Sequence, residues 1–138
     1  MVEKNTKSDQ VLLQTIDIQV EKSLAILKFK KEIVEKENDI RLSELVLEKM
    51  LEMFKDHPGI IYSLIIDLTD QRGYSGMPSV SRKNYAELGK HKQLKRVAIV
   101  GGGVMIRTVA SFIVRLTGAR GDSKWFKTVD LAKKWLVS

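Results

Sequence analysis

The sequence contains no cysteine, so disulfides, thiolate metal sites and cysteine nucleophiles are excluded. It has only two histidines, His57 and His91, which excludes a metal centre built from several histidines. Two prolines and nine glycines among 138 residues exclude a collagen-like repeat, and 43% hydrophobic residues exclude a disordered chain. We therefore expect one folded domain that holds neither a metal nor another cofactor.

Long hydrophobic runs are also absent. The two longest, around Ile60–Ile66 and Val97–Ile106, are too short or too rich in glycine to span a bilayer. The first ten residues are polar and contain no apolar signal core. These features predict a cytoplasmic protein in which residues 1–10 form a flexible tail and residues 11–138 form the domain.

Positive charge is concentrated in the second part of the chain. Residues 1–60 carry 10 Lys/Arg and 12 Asp/Glu, whereas residues 61–138 carry 14 and 5. A basic half of this kind attracts nucleic acid, anionic lipid or an acidic protein. Its cations stand singly or in pairs with few aromatics between them, a pattern more typical of a solvated surface than of a platform on which bases stack. Nucleic-acid binding is therefore the weakest of our functional hypotheses.

The first half of the chain changes its hydrophobic period twice. Alternating apolar residues predict a β-hairpin whose strands lie in Val11–Val20 and Leu24–Lys30. In Ile40–Phe54 the apolar residues recur at helical spacing, and Pro58 follows, so we expect an amphipathic helix that ends there. The nearly continuous apolar run Ile60–Leu68 is typical of a strand buried on both faces.

The second half alternates helices and strands. A helix capped by Ser79 or Ser81 is predicted to run through Leu88. It is followed by a strand at Lys95–Val100, a helix at Met105–Leu116 and a strand at Ser123–Phe126. Thr128 is predicted to cap the last helix, whose buried residues are Leu131, Ala132, Trp135 and Leu136. The order ββαβαβαβα predicts a single α/β domain around a five-stranded, mixed but mostly parallel sheet.

The last third of the chain carries the sequence pattern of a known family. Arg96 opens a Val-Ala-Ile-Val strand, three glycines follow, and Arg107 stands in the first turn of the next helix. A short strand then ends at Phe126, and the last helix contains Trp135 followed by leucine. This pattern resembles the SpoIIAA-like proteins, which are STAS/SEC14-type domains with the anti-anti-sigma factor fold. The resemblance covers about residues 11–137 and implies a small bacterial protein whose first strand is antiparallel.

This resemblance implies a regulatory, protein-binding module and not an enzyme. Anti-anti-sigma factors carry a phosphorylatable serine or threonine at the start of the helix after the third strand. Ser75, Ser79 and Ser81 stand in that region without the family's motif, so they are candidate phosphoacceptors or, alternatively, turn and cap residues. We expect a protein partner, or a second copy in a homodimer, to bind the loop and helix that follow Asp67.

Ligands of open α/β sheets bind beyond the carboxyl ends of the parallel strands. Three consecutive glycines there either present N–H groups to an anion or make a tight turn with positive φ, and the aspartate is either a base or an acceptor of backbone N–H bonds. The alternative function is therefore a carrier or sensor of a small anionic or amphipathic, lipid-like ligand. Its candidate residues are Asp67, Thr69, Gly101, Gly102, Gly103 and Arg107.

Overall fold

A five-stranded sheet organises the residues that the computed structural model describes, which are 7–30, 35–71, 78–102 and 122–137. The strands are β1 (Ile16–Glu21), β2 (Leu24–Phe29), β3 (Tyr62–Asp67), β4 (Leu94–Val100) and β5 (Asp122–Phe126). The helices are α1 (Asp9–Leu13), α2 (Lys36–Asp56), α3 (Ser79–Gly89) and α4 (Val129–Leu136). The helix predicted at Met105–Leu116 lies outside the described residues.

The strands lie in the order β1-β2-β3-β4-β5. β1 is antiparallel to β2, and the other three pairs are parallel. The hairpin turns through Lys22, whose φ of 58° is positive, and Ser23. Primed two-residue turns need such a conformation because they follow the twist of the strands. The predicted hairpin and mixed sheet are both confirmed.

The chain before β1 differs from the prediction, because Val11 lies in α1 and not in a strand. The Ser8 hydroxyl oxygen caps α1 by accepting a hydrogen bond from the Val11 amide at 3.3 Å. The Arg41 guanidinium of α2 donates two hydrogen bonds to the Asp9 carboxylate, at 2.9 and 3.0 Å, and lowers the pKa of that carboxyl. Since Leu12 is fully buried, the predicted domain boundary at residue 10 falls inside a packed helix.

The sheet packs helices on both faces. On the α2–α3 face, helices α1 to α3 cover the larger core, which includes Leu27, Leu64 and Ile99. On the α4 face, Ala132 and Leu136 pack on a smaller core around Ile65, Ala98 and Val100. All six residues of β3 are buried, as its apolar run predicts. The alternation of side chains along a strand sends successive residues of β3 to the two cores.

The last helix buries less of its surface than its sequence predicts. Thr128 caps it as expected, accepting a hydrogen bond from the Leu131 amide at 3.2 Å. The prediction that Leu131 is buried is wrong, since 47% of it is exposed. Trp135 is half-buried, and the Arg96 guanidinium lies 5.1 Å from its ring. The fully packed part of α4 is its i, i+4 stripe of Ala132 and Leu136, and Val129 and Trp135 pack against the same core while partly exposed.

The two histidines lie at the same corner of the domain, near the amino ends of β3 and β4. His57 ends α2, as its place before Pro58 predicts. His91 is half-buried, and its ring stacks on Phe54 with the ring centres 4.3 Å apart. Its Nδ1 accepts a hydrogen bond from the Gln93 amide at 3.1 Å. Burial first, and the charge of Lys92 second, lower the pKa of His91.

Candidate functional site

The carboxyl end of β3 places Asp67 and Thr69 in direct contact. Asp67 is buried, and its Oδ1 accepts hydrogen bonds from the Thr69 amide at 2.9 Å and from the Thr69 hydroxyl at 2.6 Å. An aspartate that accepts an N–H bond from two residues on is a common turn-forming arrangement. Of the two roles left open by the sequence, the geometry therefore shows the acceptor of a backbone bond.

The glycines after β4 are described only in part. The Gly101 amide donates to the Phe126 carbonyl at 3.2 Å, and the Gly101 carbonyl accepts from Trp125 Nε1 at 2.9 Å. Among the residues that the structure describes, an added Cβ at Gly102 would meet no heavy atom within 4 Å, and φ lies outside the left-handed region there. The turn at Gly102 therefore does not need a glycine for its conformation. Gly103 and Arg107 lie outside the described residues.

A groove of about 510 Å³ opens at this edge of the sheet, and we call it the edge groove. Asp17, Lys28 and Asp67 line it as neighbours in the registers of β1, β2 and β3. Lys30 and Asp70 line it as well, and the Lys28 ammonium lies 3.4 Å from the Asp70 carboxylate. Three carboxylates and two ammonium groups therefore line it, so its charge is mixed and not simply cationic.

Neither serine at the start of α3 caps that helix, so this prediction is wrong. The N-cap is Pro78, which makes no side-chain cap bond, and both Ser79 and Ser81 lie within the helix. The ring of Pro78 fixes φ at −54°, close to the helical value, which favours a helix start at this point. Ser79 is exposed and Ser81 is fully buried, while Ser75 lies outside the described residues.

Two polar contacts hold α3 on α2. The Ser81 hydroxyl donates to Asp39 Oδ1 at 2.5 Å, and Asn84 Nδ2 donates to Ser43 Oγ at 2.8 Å. Burial raises the pKa of Asp39, and the bond from Ser81 partly opposes this. The sequence reasoning missed this pair of contacts. The available signal is spacing: Ser81 and Asn84 stand at i, i+3 on one helix, and their partners at i, i+4 on the other.

These contacts predict different effects for the two serines of α3. Ser81→Ala is expected to lower the free energy of unfolding by about 1–2 kcal/mol, because it removes the hydroxyl donor from the half-buried Asp39 carboxylate. Ser79→Ala serves as the matched control and is expected to change it by less than about 0.5 kcal/mol, since Ser79 is exposed. Urea unfolding at neutral pH measures both. Equal effects would contradict a structural role for Ser81.

A solved structure is similar to this chain over most of its length. The chain is similar to an uncharacterized protein of the DUF3478 family with a SpoIIAA-like fold, from Shewanella loihica PV-4. The TM-score is 0.54 and the identity 25%, over 88% of this chain and 91% of that chain. A scan of family models and a search of curated proteins give no match. Among the described residues, no helix is long and apolar enough to cross a membrane.

These comparisons confirm the resemblance that the sequence showed. The chain is a small α/β domain with the SpoIIAA-like fold, and its five strands form the expected mixed sheet. A fold of this kind is that of a STAS-type module, which is a protein-interaction type of domain. What such a module binds is decided by its individual surfaces and not by the fold.

Proposed function

We propose that the protein is a non-enzymatic STAS-type module that regulates a protein partner by binding it through the outer surface of α3. This surface comprises Ser79, Val80, Lys83 and Glu87, all of which are exposed. The observation that carries the proposal is that α3 is fixed from its inner side, by Ser81 and Asn84, and so presents these residues in one arrangement. A rigid surface loses little conformational entropy when it binds.

The chemistry of this surface fits a protein partner. Val80 is 45% exposed, and polar and charged side chains surround it. An apolar centre with a polar rim is the usual make-up of a protein interface. The carboxyl end of β3 supports a non-enzymatic function, because the Asp67 carboxylate accepts hydrogen bonds from the Thr69 amide and hydroxyl.

The position of Ser79 supports a regulatory role. It is the first residue of an eleven-residue helix, where free backbone N–H groups favour an anion. Phosphorylation of Ser79 would add about two negative charges to the outer surface of α3. Of the two candidate phosphoacceptors that the structure describes, Ser79 is exposed to a kinase and Ser81 is not.

A photo-crosslinking amino acid introduced at Val80 tests the proposal in cells that produce the protein. The matched control carries the same amino acid at Lys49, an exposed position of α2. We expect one crosslinked protein from Val80 that is absent from Lys49. The same products from both positions, or none from Val80, would overturn the proposed surface.

The second candidate function is a carrier or sensor of a small anionic or amphipathic ligand. The edge groove favours it, since Lys28 and Lys30 reach a cavity of suitable size at the expected end of the sheet. The carboxylates of Asp17, Asp67 and Asp70 oppose an anion there. Inorganic phosphate and sulfate test the anion site: a saturable rise in melting temperature supports it, and no rise removes an anion site in the edge groove.

A further inference from the structure

A second groove lies at the other end of the same sheet face, between the hairpin and the end of α4. Its volume is about 560 Å³, within the range of small-molecule sites. Leu24 and Ile26 of β2 and Leu136 of α4 give it an apolar floor. We call it the hairpin groove. It lies on the α4 face, whereas α3 packs on the opposite face of the sheet.

A hydroxyl of the central sheet faces the hairpin groove. Ser63 of β3 is 8% exposed, and it lines the groove. A hydroxyl can donate one bond and accept two, so Ser63 is available to a bound molecule.

A cation of β4, Lys95, lies at a shift in the register of β3 and β4. Tyr62 pairs with Leu94 and Ser63 pairs with Arg96, so Lys95 is the extra residue of a bulge in β4. Bulges redirect the side chain of the extra residue, and they are frequent beside functional sites. Lys95 also lines the hairpin groove.

The groove carries more positive than negative charge. Lys133 of α4 lines it together with Lys95, and Glu21 at the end of β1 is the acidic residue in the lining. Both ammonium groups are solvent-accessible and near an apolar floor. A ligand with one anionic group and a short hydrocarbon chain matches this combination of charge and apolar surface.

We propose that the hairpin groove binds a small amphipathic carboxylate. Its hydrocarbon chain packs on Leu24, Ile26 and Leu136, and its carboxylate lies between Lys95 and Lys133. The Ser63 hydroxyl donates a hydrogen bond to the carboxylate. This site goes beyond the proposed partner surface, because it lies on the other face of the sheet. A negative result for one site therefore does not contradict the other.

Isothermal titration of the full chain with octanoate tests the site. We expect saturable binding, weakened about tenfold in Lys133→Ala, since one charge-assisted contact is lost. Ser63→Ala is expected to weaken it several-fold. Lys134→Ala is the matched control, because Lys134 is exposed on the same helix but does not line the groove. It is expected to bind as the unmodified chain does.

Two further probes separate the parts of the ligand. Octan-1-ol, which keeps the chain but lacks the charge, is expected to bind at least about tenfold more weakly. Acetate, which keeps the charge but lacks the chain, is expected not to bind. Circular dichroism checks that each variant is folded, and Lys95→Ala replaces Ser63→Ala if the latter is not. Absence of octanoate binding, equal binding of octan-1-ol, or an equal loss in Lys134→Ala would overturn the proposal.

Discussion

Replacing Phe54 with alanine is expected to lower the free energy of unfolding by about 3–5 kcal/mol. The Phe54 ring is 1% exposed at the carboxyl end of α2. It stacks on His91 and lies 5.7 Å, between ring centres, from Tyr62. Removing it empties the place where α2 meets the loop before β4 and the start of β3. The urea unfolding midpoint, at an unchanged slope, measures the loss.

Trp135→Ala is the informative comparison for Phe54→Ala. The sequence pattern places Trp135 on the buried face of the last helix and predicts an equally large effect. In the structure Trp135 is half-buried, with Phe126 at 5.3 Å and Arg96 at 5.1 Å from its ring. Since apolar stabilisation follows the buried area, we expect roughly half the loss found for Phe54. A larger loss for Trp135 than for Phe54 would contradict this assignment of the two cores.

The elements that the sequence predicts well are those in which hydrophobic pattern and burial coincide. β3 is buried along its length and reads as a continuous apolar run. α2 has a wide apolar stripe, which the structure extends to Lys36–Asp56. Val11 shows where the pattern fails, because strand-like alternation there competes with the cap from Ser8 and the ion pair between Asp9 and Arg41. That pair joins residues 32 positions apart, and no local pattern contains it.

The candidate sites also differ in how far the sequence predicts them. The contact between Asp67 and Thr69 is local, so the sequence carries it directly. The hairpin groove instead depends on strand pairing, since Ser63 and Lys95 line it together from the neighbouring strands β3 and β4. Lys133 joins them because α4 packs back on the sheet. Neighbours of this kind are set by tertiary packing, and a reading of periodicity cannot supply them.

Gln93→Leu is expected to lower the free energy of unfolding by about 2–3 kcal/mol, through hydrogen bonds and not through lost volume. Gln93 is buried, and its Nε2 donates to the His57 carbonyl at 2.9 Å and to the Ile60 carbonyl at 3.0 Å. Leucine fills a similar space but has no donor. The Ile60 carbonyl then loses its bond from Gln93, and the His57 carbonyl keeps only its bond from the Ile60 amide. The bonds join the turn after α2 to the loop before β4, so their loss loosens the amino-end edge of the sheet.

The matched control is Gln10→Leu, which makes the same change at an exposed position of α1. It is expected to change the free energy of unfolding by less than about 0.5 kcal/mol. Urea unfolding followed by tryptophan fluorescence measures both variants under the same conditions. A Gln93→Leu protein as stable as the Gln10→Leu protein would show that the two carbonyls find other donors. The corner at His57 and Ile60 would then be held by its backbone hydrogen bonds and by the packing of Phe54 and His91.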